Sequence, residues 1–179
     1  MKKHDLRIER TRYMLKNALI DLLEEKNVES ITINMLSEKA MINRVTFYSH
    51  YKDLTDMLEK LAIETMNTVR ENLSAYEDDA HNWDNLINFL THVQKESRLY
   101  KLILVSNKLP GFRNEVLNII ETQIYNGIEQ SKNAKNKDIK LWYESSAIIG
   151  TIVCWLKENM PYTPKYLVEK IAEIHFSKF

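Results

Sequence analysis

Cysteine occurs once in these 179 residues, and glycine and proline three times each. The single Cys154 excludes a disulfide within the chain and any thiolate-based zinc site. Its place in an apolar helical run predicts a buried, inert thiol. With so little Gly and Pro, and with Leu, Ile, Lys, Glu and Asn abundant, helix is favoured throughout. No apolar stretch approaches the ~20 residues of a membrane span. Residues 1–12 are charged throughout, unlike a signal peptide, so the expected location is the cytoplasm, with no membrane partner. There is no Gly-rich phosphate loop, and His4, His50, His81, His92 and His175 show no metal-ligand spacing. No convergent catalytic set, no metal and no cofactor are therefore expected.

Net charge is also missing, since 25 Lys and Arg balance 25 Asp and Glu. Its distribution is uneven, however. Lys2, Lys3, Arg7, Arg10, Arg12 and Lys16 face only Asp5 and Glu9 at the start, whereas Glu77, Asp78, Asp79 and Asp84 cluster later. Attraction to nucleic acid depends on local charge, and a basic opening segment supplies it.

The most informative stretch is residues 32–53, TINMLSEKAMINRVTFYSHYKD. Ile33, Leu36 and Ala40 share a helical face, and Thr32 ahead of them is a good N-cap. Asn43 offers a second cap a few residues later, before Arg44, Val45, Thr46, Phe47, Tyr48, Ser49, His50 and Tyr51. Two short helices joined by a tight turn are the sequence form of a helix-turn-helix. Phe47 is the inward anchor of the second helix, while Arg44, Thr46, Tyr48 and His50 are donors for phosphate oxygens or base edges.

These residues carry a family resemblance. The run I-T-I-N…A-x-I-N-R-x-T-F-Y-x-H-Y-K-D resembles the DNA-binding domain of TetR/AcrR-type transcriptional regulators, most specifically at residues 46–53. It covers residues 6–60 strongly. The family usually has Gly at the turn, where this chain has Met41, and a left-handed turn costs Met about 1 kcal/mol more than Gly. The resemblance implies double-stranded DNA as partner, met by Thr32, Asn34, Asn43, Arg44, Val45, Thr46, Tyr48, Ser49, His50 and Lys52. Thr32 and Asn34 would start the supporting helix, and Thr46, Tyr48, His50 and Lys52 would meet mainly phosphates. Arg44 is the residue for a guanine and Val45 for a thymine methyl. Lys52 and Asp53, at the start of the next helix, form an expected phosphate clamp.

Hydrophobic periodicity organises the rest. A first helix over residues 5–25 carries a stripe of Ile8, Leu15, Leu19 and Leu22, and a fourth runs from Asp53 towards Tyr76. Trp83, Leu86, Ile87, Leu90 and Val93 mark a fifth, and Leu99 to Val105 a shorter apolar segment. Leu109-Pro110-Gly111 reads as a breaker, after which Phe112, Val116, Ile120, Ile124 and Ile128 recur every fourth residue. Residues 131–137 read as a loop. The next helix, residues 139–156, is apolar on too many sides to pack on one face, and a final helix follows Pro164. The run IIGTIVCWLKENMPYTP resembles the C-terminal end of a TetR subgroup that includes dihydroxyacetone-kinase operon regulators.

The predicted fold is therefore all-α with about nine helices. A three-helix DNA-binding head over residues 1–52 precedes a helical body over residues 53–179 for dimerisation and effector binding. A homodimer is expected through Ala147, Gly150, Thr151, Cys154, Trp155, Leu167, Ile171 and Ile174, with small residues allowing close helix approach. An effector pocket is expected among Met57, Leu61, Thr65, Met66, Trp83, Phe89, Tyr100 and Phe112. Its apolar and aromatic lining suits a small apolar molecule, with another protein as the alternative effector. The reading is a repressor on a palindromic operator. The rival reading is a helical interaction module without sequence-specific DNA binding.

Overall fold

In the computed structural model the backbone is described for residues 3–73, 83–130 and 137–176, and side chains for 6–73, 83–123 and 138–174. The acidic run at 77–79, the loop at 131–136 and the side chains of Ile124 and Ile128 lie outside the described residues. Among the described residues there are nine α-helices and no strand. Contacts group the chain into two compact units, Met1–Thr65 and Met66–Phe179.

The first unit, the head, contains α1 (Lys3–Glu25), a 3-10 turn (Val28–Ser30), α2 (Ile33–Lys39) and α3 (Arg44–Tyr48). Its core is the α1 stripe of Leu15, Leu19 and Leu22, closed by Leu36, Ala40 and Phe47, all buried. Helix α4 (Leu54–Leu73) starts in this unit. The sequence reading put a boundary after residue 52. The compact unit continues to Thr65, because buried Met57 and Leu61 line a crevice with Tyr51 and with Arg12, Tyr13 and Lys16 of α1.

The turn between α2 and α3 has a specific geometry. Ala40 is the C-cap, Met41 sits at φ 54°, and the chain reverses at once. The Met41 N–H donates to Glu38 O at 3.1 Å and the Ile42 N–H to Ser37 O at 3.0 Å, so two orphan carbonyls of α2 are satisfied. This cap normally places Gly in the left-handed position, and Met41 occupies it with its side chain almost wholly exposed. Met41→Gly is therefore expected to stabilise the head. Relief of ~1–2 kcal/mol of left-handed strain exceeds the ~0.4–1 kcal/mol gained by the more flexible unfolded chain. Thermal unfolding should show a midpoint a few degrees higher, and an unchanged or lower midpoint would mean the turn is unstrained.

The second unit, the body, contains α5 (Trp83–Lys95), α6 (Ser97–Tyr100), a π-helical turn (Lys101–Val105), α7 (Pro110–Gln130), α8 (Lys137–Lys157) and α9 (Pro164–Phe176). Helix α5 packs on α9 and α7 on α8, and the π-helical turn meets α7 and α8. Phe89, Leu90, Tyr100, Ile103, Val116 and Leu156 are among its fully buried residues. Pro110 opens α7 rather than breaking the chain ahead of it. Proline fits the first helical position because its missing N–H would be unpaired there anyway. Lys137, expected in a loop, is likewise the first residue of α8. No described helix is long and apolar enough to cross a membrane.

Candidate nucleic-acid interface

Helix α3 is only five residues long and far too short to be stable alone. Three local devices hold it. The Asn43 side chain accepts the Val45 N–H at 2.9 Å, capping the N-terminus. Phe47 is fully buried, with the Tyr48 ring edge-on at 5.6 Å and Tyr51 at 5.7 Å. The Ser49 hydroxyl donates to Thr46 O at 2.7 Å and closes the end. Thr32 caps α2 in the same way, accepting from the Met35 N–H at 3.3 Å.

With Phe47 inward, Arg44, Val45 and Tyr48 are left on the outer side of α3. Arg44, Val45, Tyr48 and Ser49 are exposed, as are Thr32 and Asn34 on α2 and Lys52 beyond α3, whereas Thr46 and His50 are half-buried. Val45 is 76 % exposed, so its methyl groups lie on the outer side of α3. The cap places Asn43 beside this face, with its carbonyl oxygen already engaged. Ser49 likewise presents its oxygen but has its proton committed within α3.

His50 is held below the ordinary imidazole range, first by burial and then by the Arg12 and Lys60 cations nearby. At neutral pH its ring is therefore neutral, and it offers a hydrogen bond rather than a charge.

The expected clamp at the start of α4 differs in one respect. Asp53 Oδ1 accepts the Asp56 N–H at 2.8 Å, and Asp56 Oδ2 accepts the Lys52 N–H at 2.8 Å. Two backbone donors that would meet a phosphate are thus already taken by carboxylates, leaving the Lys52 side chain as the cation of the pair. These bonds hold the Asp56 carboxyl below its ordinary range, the Lys52 N–H contributing most and the Lys60 ammonium next.

Lys60 is the residue the sequence reading missed. Its ammonium lies 2.9 Å from Asp56 Oδ2, 3.2 Å from the His50 carbonyl oxygen and 5.2 Å from the centre of the Tyr51 ring. The four-residue spacing from Asp56 is visible in sequence, but the reach back to His50 is not.

The C-terminal half decides the relationship. Residues 81–176, more than half of the chain, match the TetR-type family described as the C-terminal region of transcriptional regulators. The chain belongs to the TetR family of transcriptional regulators. An HTH-type transcriptional regulator of Bacillus subtilis (strain 168), YxbF, itself uncharacterised, is 25 % identical over 183 residues. That alignment takes in 96 % of this chain and 46 % of YxbF, so the chain spans about half the length of this curated relative. Among solved structures, a TetR transcriptional regulator from Streptococcus agalactiae 2603V superposes with a TM-score of 0.66 at 24 % identity, covering 96 % of both chains. The dihydroxyacetone kinase operon activator DhaS gives 0.56 at 17 %, over 92 % of this chain and 93 % of its own. FadR from Bacillus subtilis, in complex with stearoyl-CoA, gives 0.65 at 16 %, over 93 % and 98 %. These likenesses show the all-α TetR fold, and the family is one of regulators rather than enzymes. Among the described residues no group of three or more His, Cys, Asp and Glu is placed to hold a metal ion.

The residues expected in an effector pocket fall in both compact units of this TetR-family chain. Met57, Leu61 and Thr65 belong to the head, and Met66, Trp83, Phe89, Tyr100 and Phe112 to the body. The crevice lined by Met57 and Leu61 measures about 100 Å³ and also takes in Glu64. The Thr65 hydroxyl is buried and donates to Leu61 O at 2.7 Å, satisfied within its own helix. In the body, Tyr100 is fully buried between the rings of Phe89, 6.1 Å away, and His92, 5.6 Å away. Its hydroxyl and the Asn85 Oδ1 are buried atoms with no hydrogen-bond partner among the described residues. Burial pushes the Tyr100 phenol well above its ordinary range, so it stays neutral.

The residues expected at a dimer seam divide as well. Ala147, Gly150 and Cys154 are exposed along one face of α8, Thr151 is half-exposed, and Tyr143 lies on the same face. Trp142 and Ile139 are also exposed on α8, at 66 % and 61 %, as is Ile174 on α9 at 61 %. Cys154 is thus at the surface, contrary to the expected buried thiol, because Ile152, Trp155 and Leu156 take the inward positions of this turn. Trp155 and Leu167, expected to face a partner, instead lie inside the body. The Trp155 indole N–H donates to Tyr162 O at 2.9 Å and ties α8 to the segment leading into α9. Ile171 is half-buried.

Proposed function

We propose that the protein is a repressor that binds a palindromic operator as a homodimer and releases it when the body takes up an effector. The observation that carries the DNA reading is the outward face of α3, with Arg44, Val45, Thr46 and Tyr48 arranged round a single buried anchor. A helix of this length gains nothing from placing so many donors in water, whereas the major groove uses them. Arg44 reads a guanine through its two-pronged guanidinium, Val45 packs on a thymine methyl, and Tyr48, His50 and Lys52 meet phosphates.

A homodimer is supported by the exposed apolar and aromatic side chains of α8, Ile139, Trp142 and Tyr143, and by Ile174 of α9. Twofold symmetry in the protein then requires twofold symmetry in the operator, with half-sites about one turn of duplex apart. The unpaired Tyr100 hydroxyl and Asn85 carbonyl favour an effector that lodges in the body. FadR from Bacillus subtilis, which shares the fold, is known in complex with stearoyl-CoA.

Mobility shift on duplexes selected from a random pool tests the DNA reading. Arg44→Ala should weaken the selected site by ~1–3 kcal/mol and relax preference at one base pair. Lys52→Ala should weaken all duplexes alike and flatten the salt dependence by about one unit. An Arg44→Ala protein that binds the selected site as tightly as the wild type would overturn the base assignment. A reporter behind the selected site distinguishes repression from activation, which is the role named for DhaS.

A further inference from the structure

The end of α3 and the start of α4 are joined by more than the chain. Four residues, His50 to Asp53, make the elbow, and Lys60 reaches back across it from the second turn of α4. Its ammonium accomplishes three things there. It donates to the His50 carbonyl oxygen at 3.2 Å, one of the acceptors left over beyond the C-terminus of α3, where a cation is favoured. It pairs with Asp56 at 2.9 Å, whose other role is to accept the Lys52 N–H. It also lies over the Tyr51 ring, which is buried and packs on Phe47, the anchor of α3.

We propose that Lys60 is a positioning residue for DNA recognition, a bracket that fixes the pitch of α3 on α4 and so determines which base pairs the outward face reaches. The inference rests on the DNA reading above. The bracket acts on orientation because each of its contacts ends on the elbow or on Asp56, and none on the outward residues Arg44, Val45 or Tyr48. A hinge that lacked it would keep Phe47 as a pivot and let α3 swing about that ring. Base contacts need hydrogen-bond geometry within a few tenths of an ångström, whereas phosphate contacts tolerate more. Loss of the bracket should therefore cost selectivity before it costs general affinity.

The distinguishing measurement is the salt dependence of binding by the full chain. Lys60→Met keeps the stem over Tyr51 and removes the charge and donors. If the inference is right, affinity for the selected site falls about tenfold, affinity for an unrelated duplex is unchanged, and the slope of log K against log salt is that of the wild type. Asp56→Asn keeps an acceptor for the Lys52 N–H but removes the ion pair, and should lose selectivity in the same direction. Lys60→Arg, which retains donors for both partners, should recover much of the loss.

A slope reduced by about one unit would show that Lys60 itself touches a phosphate, and would overturn the positioning role. Unchanged selectivity in Lys60→Met would overturn it too. Should Lys60→Met melt the head, as read by circular dichroism, Asp56→Asn decides, and a wild-type selectivity there is a refutation. A wild type that binds no selected duplex would instead refute the DNA reading itself.

Discussion

Replacing Phe47 with Ala should abolish specific binding and destabilise the head by ~3–5 kcal/mol. Phe47 is fully buried, and the rings of Tyr48 and Tyr51 lie edge-on and tilted against it at 5.6 and 5.7 Å. Truncation removes six ring atoms from a small core and leaves both tyrosines facing a void that a helix of five residues cannot collapse to fill. Typical domains hold only ~5–15 kcal/mol in total, so the head would lose a large share of its stability. Thermal unfolding should show an early transition for the head, while the body, whose core contains none of these residues, keeps its own. A Phe47→Ala protein within ~1 kcal/mol of wild type, still shifting the selected duplex, would mean that α3 is held by something other than its anchor.

The second large effect concerns the α8 surface. Gly150 is exposed and a Cβ added there meets nothing within 4 Å, so in Gly150→Leu the side chain starts into open space in the protomer. Leucine also suits an exposed helix interior better than glycine, by somewhat less than the ~0.8–1 kcal/mol that separates alanine from glycine. The isolated protomer should therefore become slightly more stable. If the exposed α8 face is the seam of a twofold dimer, the same change drives four carbons into a close helix crossing and separates the subunits. Sedimentation at micromolar concentration should move from dimer to monomer. Operator affinity should drop by ~10²–10⁴, because the second head is no longer tethered near its half-site. A variant that stays dimeric and binds normally would place the seam elsewhere. A monomeric wild type would remove the dimer altogether.

The helix-turn-helix was legible in the sequence because its signals are local. Thr32 and Asn43 cap the helices they precede, and the periodicity that points Phe47 inward is set by the backbone itself. The left-handed Met41 was legible for the same reason, as an oddity at a position where glycine is usual. What escaped were facts that depend on partners distant in sequence. Nothing local marks Lys60 out, because His50, ten residues away, joins it only once the elbow has formed. Cys154 and Trp155 are neighbours in one apolar run, and composition gives no means of saying which of them faces the interior. The packing of α8 decides it, sending Trp155 inward to Tyr162 O and Cys154 outward. Pro110 in the sequence suggests an interruption because proline stops helices from within, yet at a first position it starts one.

The shortness of α3 has an evolutionary consequence. A reading helix held by one inward phenylalanine, one cap and one bracket places almost none of its stability in the residues that meet the outside. Val45, at 76 % exposure, and its neighbour Arg44 can be exchanged with little effect on folding, since exposed substitutions away from such supports usually stay within about 0.5 kcal/mol. Mutation can therefore explore new operators along a path on which every intermediate still folds. A change at Phe47, Asn43 or Lys60 has no such freedom. Descendants of this head should diverge first at the outward positions, and libraries randomised at residues 44 and 45 should contain mostly folded proteins with differing sequence preferences.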